Sequence, residues 1–214
     1  LSLDFGIEYG KGYYTAMNEI VLTTLLKHHQ VRSFRELAPL LGDKDAYGRI
    51  GNSDDWKESR QLGALVNRLS STEALNIVPG MYGNRPAVHA AAIDVQNLFQ
   101  EPQVVYLSLS SAAEPTNAPA IARLFLWACF TAASQQPANV RTYFLIDEFQ
   151  QVISEGIKLI FEQFRGIGGT IVAAHQTAAQ LRRLGTDLGG TIDSCTAIKQ
   201  VYRASDLESL ERLE

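Results

Sequence analysis

The spacing of apolar residues along the chain changes near residue 88. Before that point, apolar residues recur at the three- and four-residue intervals of an amphipathic helix. The clearest case is a predicted helix over Asp54 to Leu75, with Asp54 or Asp55 as its N-cap. Its apolar face is formed by four residues at positions i, i+3, i+4 and i+7, namely Leu62, Leu65, Val66 and Leu69.

Two further helices are predicted in this first part of the chain. One covers Tyr13 to His29. The other is opened by a capping-box pattern, Ser33 with Glu36, and would be ended by Pro39 or Gly42. Predicted turns, rich in Gly with Asp or Pro, lie around residues 42–52 and 79–86. We therefore expect residues 1–87 to form a mainly helical region.

After residue 88, short apolar runs alternate with helical patterns. The predicted strands are Val88 to Val95, Val104 to Leu109, Val140 to Asp147, Thr170 to Ala174 and Thr196 to Tyr202. Three helices are predicted. The first begins near Ala118, and the third covers Ala178 to Leu184. The second has an apolar face formed by Ile153, Ile157, Ile160, Phe161 and Phe164. This alternation predicts an α/β domain over residues 88–214, with a mostly parallel sheet flanked by helices.

The segment Tyr143–Phe149 ends a predicted buried strand with two adjacent carboxylates, Asp147 and Glu148. Phosphoryl transfer needs a metal that neutralises charge and a base that orients water, and such a pair can supply groups for both. His175 and Gln176 follow the next predicted strand, so in a parallel sheet they would lie at the same edge as the two carboxylates. Ligands of such sheets bind beyond the carboxyl ends of the strands. The alternative is a core strand that runs into a solvated acidic turn.

A complete phosphate-binding loop is missing from the sequence. Such loops follow the pattern G-x-x-x-x-G-K-[ST]. The segment Gly6–Gly12 is one residue too short, has glycine in place of the hydroxyl residue and follows no apolar strand. We expect the loop to lie before Leu1 or to be absent, so this polypeptide by itself should bind nucleotide poorly and hydrolyse it negligibly.

Composition limits the class of protein and the compartment in which it works. Of 214 residues, 46% are hydrophobic and 20% charged, as in soluble globular proteins, and the net charge of −4 excludes a generally basic nucleic-acid-binding surface. Cys129 and Cys195 lack companions at metal-ligand spacing, so we expect structural thiols in a reducing compartment. The apolar run Ala118 to Ala133 contains a proline and Arg123 and predicts a buried helix rather than a membrane span. The chain starts without Met, which suggests a piece of a longer protein.

Three segments together resemble the TraG/TraD-type coupling proteins of conjugation and type IV secretion, in the FtsK/HerA-like branch of RecA-fold motors. They are Phe144–Phe149, Phe161–Gly169 and Ile171–Leu181. The resemblance is strongest over residues 104–202, and it implies a partial RecA-like ATPase core. The helical residues 13–76 would correspond to the family's all-α domain.

The resemblance implies roles for four residues. Asp147 would hold Mg²⁺ through water, and Glu148 would act as the general base. Gln176 would contact the γ-phosphate; the alternative is a strand-end glutamine that bonds backbone. Arg165 would be an arginine finger that reaches the nucleotide of a neighbouring subunit. The alternative is an arginine at a helix C-terminus that interacts favourably with the helix dipole. Arg182 and Arg183 are expected to be solvated.

The resemblance also implies ATP and Mg²⁺ as cofactors, and DNA and relaxosome or secretion-channel proteins as partners. The full-length protein would form a homo-oligomeric ring, a hexamer, at the cytoplasmic face of the bacterial inner membrane. One alternative is a soluble FtsK/HerA-like DNA translocase with no role in secretion. Another is a protein-interaction module without catalytic activity.

Overall fold

The computed structural model describes residues 13–72, 75–76, 81–82, 85–86, 93–113, 115, 117–183 and 186–202. The segment Gly6–Gly12 and most of the predicted strand Val88 to Val95 lie outside these residues. The chain forms two compact units, and their described residues fall within 13–93 and 94–202. The expectation that these are an all-α domain over 1–87 and an ATPase core over 88–214 stays a prediction.

The first unit is mainly helical. Its helices are α1 (Tyr13–His28), α2 (Phe34–Gly42), α3 (Lys44–Gly48), α4 (Ser53–Glu58) and α5 (Arg60–Ser70). A short antiparallel hairpin follows, made of β1 (Met81–Tyr82) and β2 (Arg85–Pro86). The helices bury a shared apolar cluster of Val21, Leu25, Leu37, Leu41, Tyr47, Leu62 and Val66. All four apolar residues predicted on the face of α5 are buried.

Side-chain caps set the boundaries of these helices. The Ser33 hydroxyl accepts a hydrogen bond from the Glu36 amide, as the capping pattern predicts, and α2 passes through Pro39 to end at Gly42. The predicted single helix over Asp54 to Leu75 is wrong, because Ser59 interrupts it. Its N-cap is Asn52 rather than either aspartate.

One short helix of this unit was not expected from sequence. Residues 42–52 were predicted as a turn, but α3 lies within them. The Asp43 side chain accepts a hydrogen bond from the Ala46 amide at 2.8 Å, which satisfies one of the free N–H groups of the first turn. This cap stabilises a helix of five residues whose Tyr47 is buried in the core of the unit.

The second unit contains a parallel pair of strands and flanking helices. Its elements are α6 (Asn117–Gln135), β3 (Thr142–Ile146), α7 (Glu155–Gln163), β4 (Gly169–Ala173), β5 (Arg182–Arg183), β6 (Thr186–Asp187) and α8 (Gly189–Cys195). Short 3₁₀ turns lie at Asn97–Phe99, Phe149–Gln151, Phe164–Ile167 and Ala178–Leu181. The α/β class is therefore confirmed, with β3 and β4 paired in parallel from Thr142↔Gly169 to Ile146↔Ala173.

Among the described residues, the parallel pair is covered on one face. Phe144 of β3 is buried and packs against the tilted ring of Phe164 with ring centroids 4.9 Å apart, and Phe99 lies beside both rings. Residues of the opposite face, Tyr143 and Leu145, remain exposed. The core therefore lies between β3–β4 and the helices α6 and α7.

Several strand predictions are wrong. Residues 104–109 and 196–202 form no strand, and Val104 and Tyr106 are almost fully exposed. A strand needs a neighbouring backbone to satisfy its N–H and C=O groups, and neither segment has one among the described residues. The predicted helix over Ala178 to Leu184 ends as a 3₁₀ turn at Leu181. Of Val88 to Val95, the three described residues lie in coil and turn.

Candidate functional site

The two carboxylates lie in a fixed turn at the carboxyl end of β3. Glu148 has φ 51° and ψ 44°, a left-handed conformation that is uncommon for a residue with a side chain. The Glu148 amide donates to Oδ1 of Asp147 at 2.9 Å. The next amide, that of Phe149, donates to the carbonyl of Ala174 at 2.9 Å, and the Ala174 amide donates to the Ile146 carbonyl at 2.9 Å. These bonds join the turn to the end of β4.

Both carboxylate oxygens of Glu148 accept hydrogen bonds from glutamine amides. Nε2 of Gln176, beyond the end of β4, donates to Oε1 at 3.0 Å. Nε2 of Gln150, in the 3₁₀ turn after β3, donates to Oε2. The structure thus brings together two of the predicted site residues, Glu148 and Gln176, and adds Gln150.

The turn beneath Glu148 rests on buried groups. The Phe149 ring is fully buried and meets the Phe161 ring edge-on at 5.2 Å. Arg123 of α6, only 5% exposed, donates from Nη2 to the Gln151 carbonyl at 3.1 Å and from Nε to the Val152 carbonyl at 3.3 Å. These contacts satisfy carbonyl groups of the turn and hold its backbone in place.

The loop after β4 has its own internal support. Oε1 of Gln180 accepts from the backbone amides of Gln176 and Thr177, at 3.0 and 3.2 Å, in a capping box that opens the turn Ala178–Leu181. The His175 ring is exposed, and its Nδ1 lies 3.1 Å from the Thr177 carbonyl.

Asp147 is exposed beside Glu148, and its Oδ1 accepts the Glu148 amide. No group of three or more His, Cys, Asp and Glu side chains that could hold a metal occurs in the part of the chain that the structure describes. Mg²⁺ is commonly held by one or two carboxylates, with waters and substrate phosphates completing the shell. An exposed aspartate at a strand end fits that mode of binding and does not amount to a metal site by itself.

Comparison with known families decides the relationship. The sequence model of the type IV secretion-system coupling protein DNA-binding domain matches residues 16–214. The chain belongs to this family. No curated protein and no solved structure shows a significant match. The resemblance to coupling proteins is therefore confirmed, and the family's description supports DNA as a partner of this coupling-protein chain.

No described helix of the coupling-protein chain is both long and apolar enough to span a membrane. The apolar run predicted to be a buried helix forms α6, which packs Leu126, Cys129 and Phe130 into the core. Burial raises the pKa of the Cys129 thiol to about 12, whereas Cys195 is exposed.

Arg165 does not lie with the other predicted site residues of the coupling-protein chain. Its side chain is exposed in the 3₁₀ turn Phe164–Ile167, which precedes β4, whereas Glu148 follows β3. Because the strands are parallel, Arg165 lies near their amino ends and Glu148 at their carboxyl ends. The five-residue strands between these two ends are roughly 16 Å long. Arg182 pairs with Asp187 at 3.1 Å, both side chains being about half exposed.

Sequence reasoning missed Gln150 and Arg123 as parts of this site. Gln150 lies two residues after Glu148, and the polar pair Gln150–Gln151 between Phe149 and Val152 is the local signal that could have identified it. Arg123 was recognised only as a charge within an apolar helix. Its contact with the turn spans 28 and 29 residues, which no local pattern could have indicated.

Proposed function

We propose that this coupling-protein chain is part of a ring-forming, ATP-driven DNA translocase that serves conjugation or type IV secretion at the cytoplasmic face of the bacterial inner membrane. The observation that supports this proposal best is that two glutamine side-chain amides donate hydrogen bonds to the carboxylate of Glu148. A general base must present its carboxylate in a defined direction, and the bonds from Gln176 and Gln150 restrict that direction.

ATP and Mg²⁺, when bound, would supply the transferable phosphoryl group and the positive charge that neutralises it. Asp147 would hold the metal through water. Glu148 would accept the proton of the attacking water, and Gln176 would place its amide near the γ-phosphate. Each role uses a side chain at the carboxyl ends of β3 and β4, where parallel sheets bind their ligands.

In our proposal, the remaining groups of each site come from another segment of the full-length protein and from a neighbouring subunit. A phosphate-binding loop on another segment of the full-length protein would hold the nucleotide. Arg165 would reach the nucleotide of a neighbouring subunit in a homo-oligomeric ring, a hexamer, because its position at the amino ends of the strands places it away from Glu148 of its own subunit. Relaxosome or secretion-channel proteins would deliver or receive the DNA.

The test is DNA-stimulated ATP hydrolysis by the full-length protein. Glu148→Gln keeps the shape of the side chain and removes its basicity, so we expect turnover to be lost while nucleotide binding is kept. Glu162→Gln is the matched control, because Glu162 is an exposed glutamate of α7, and it should hydrolyse ATP like the parent. Turnover by Glu148→Gln at the parent rate would remove Glu148 from the mechanism. A parent protein without ATPase activity would leave the non-catalytic interaction module as the better account.

A further inference from the structure

Gln150 is a buried glutamine whose amide bonds an exposed carboxylate. The residue is 7% exposed, and its Nε2 donates to Oε2 of Glu148. A buried amide usually bonds backbone or another buried group, because an unpaired polar group in the interior is destabilising. Gln150 instead directs its donor outward, to the residue at the end of the sheet on which the proposed chemistry depends.

The turn that carries Gln150 is held by contacts on both sides. Phe149 before it is fully buried, and the Phe149 amide is bonded to the end of β4. The carbonyls of Gln151 and Val152 after it accept from the buried guanidinium of Arg123. A donor that is fixed on both sides along the backbone can hold its acceptor at a fixed direction.

The two glutamines act on different oxygens of Glu148. Gln176 bonds Oε1 and Gln150 bonds Oε2, so the carboxylate cannot rotate about its terminal torsion without breaking one bond. That torsion is otherwise broad and weakly restricted. Each carboxylate oxygen has two lone pairs, so one remains on each to accept a proton. The carboxylate of Glu148 can therefore still accept a proton while both amides are bonded to it.

We propose that Gln150 is a positioning residue that fixes the carboxylate plane of Glu148 for proton abstraction from water. The inference rests on the proposed ATPase function and adds a residue to it. Gln150 need not touch nucleotide or water itself. Its effect is on the orientation of the base, so its loss should lower kcat and leave KM nearly unchanged.

The experiment uses the full-length protein and two substitutions of similar shape. Gln150→Met keeps the length of the side chain and removes the donor, and we expect kcat to fall roughly tenfold with KM within about twofold of the parent. Gln150→Glu places a second carboxylate beside Glu148. Only a protonated carboxyl can donate there, so we expect its kcat to recover as the pH falls from 8 to 6, which a purely structural role would not produce.

Melting temperature and nucleotide affinity separate positioning from misfolding, and Gln163→Met on the exposed end of α7 is the control. If Glu148→Gln is inactive but both Gln150 variants match the parent at every pH, the positioning role is overturned and the proposed function stands. If Glu148→Gln is itself active, Glu148 is not the base, and the role of Gln150 falls with it. A Gln150→Glu variant whose kcat is low at every pH, although it folds and binds nucleotide, also contradicts the proposal.

Discussion

The side-chain amide of Gln176 donates a 3.0 Å hydrogen bond to the carboxylate of Glu148, across 28 residues of sequence and across the two parallel strands β3 and β4. This bond joins the ends of two elements that sequence alone predicted as separate strands. It places an amide donor and a carboxylate at one edge of the sheet, the edge at which nucleotide is proposed to bind.

Gln176→Ala removes this donor while leaving Gln150 in place. We expect ATP turnover by the full-length protein to fall roughly tenfold, because Glu148 loses one of its two orienting bonds and the γ-phosphate loses a polar contact. Steady-state hydrolysis with saturating DNA measures the effect. Gln163→Ala, an exposed glutamine on α7, should behave like the parent. An unchanged kcat for Gln176→Ala would exclude it from the site.

Arg165→Ala tests the proposed contact between subunits. Both Arg165→Ala protein and protein with a disabled phosphate loop should be inactive alone, because each lacks one half of every interface. Mixed rings should regain part of the ATPase activity, at interfaces where an intact loop meets an intact arginine. Arg182→Ala provides a control, since Arg182 is paired with Asp187. Mixtures that stay inactive would count against an arginine finger at this position.

Gly168 is required by the backbone just before β4. Its φ is 95°, and a Cβ there would lie 2.7 Å from the Cβ of Ala138. Gly168→Ala should therefore lower the free energy of unfolding by about 1–3 kcal/mol, from strain and steric overlap. Gly166→Ala, two residues earlier, would place its Cβ in open space and should change stability by less than about 1 kcal/mol. Urea unfolding of the two variants provides the comparison, and equal stabilities would contradict the structure.

The two cysteines should differ in reactivity. The thiol of Cys129 is buried, and its pKa is raised from 9.0 to about 12 by that burial, so little thiolate forms at pH 8. Exposed Cys195 should be alkylated first, and Cys129 only after unfolding. Mass spectrometry of peptides after brief treatment with iodoacetamide distinguishes them. Rapid labelling of Cys129 in the folded chain would contradict its burial.

The same pKa shift has a consequence for stability. The folded state holds the Cys129 proton more tightly than the unfolded state does, so this contribution is present in full below pH 9 and is lost as the pH rises towards 12. Cys129→Ala removes the titrating group. The parent's stability advantage over this variant should therefore shrink as the pH rises from 9 to 11, as measured by urea unfolding. An advantage that stays constant over this range would contradict the shift.

Local periodicity was sufficient for the elements that carry the site. The apolar run of β3 and the apolar stretch of α6 were predicted close to their observed bounds, because each is a pattern within one segment. Of the five residues predicted on the face of the next helix, Ile157, Ile160 and Phe161 lie in α7, whereas Ile153 and Phe164 lie just outside it. The same reasoning failed for residues 104–109 and 196–202, whose apolar residues are also typical of strands. Whether a segment becomes a strand depends on a partner backbone, which is a property of other parts of the chain.

The sequence by itself determined the α/β class, the family and the placing of two carboxylates at the end of a strand, since these follow from spacing and residue type within short segments. The tertiary structure alone decided that Gln176 and Gln150 bond opposite oxygens of Glu148, that Arg123 supports the turn beneath it and that Arg165 lies at the other end of the strands. Those relationships arise from contacts between residues far apart in sequence, and their geometry is fixed only when β3, β4 and α6 pack against one another.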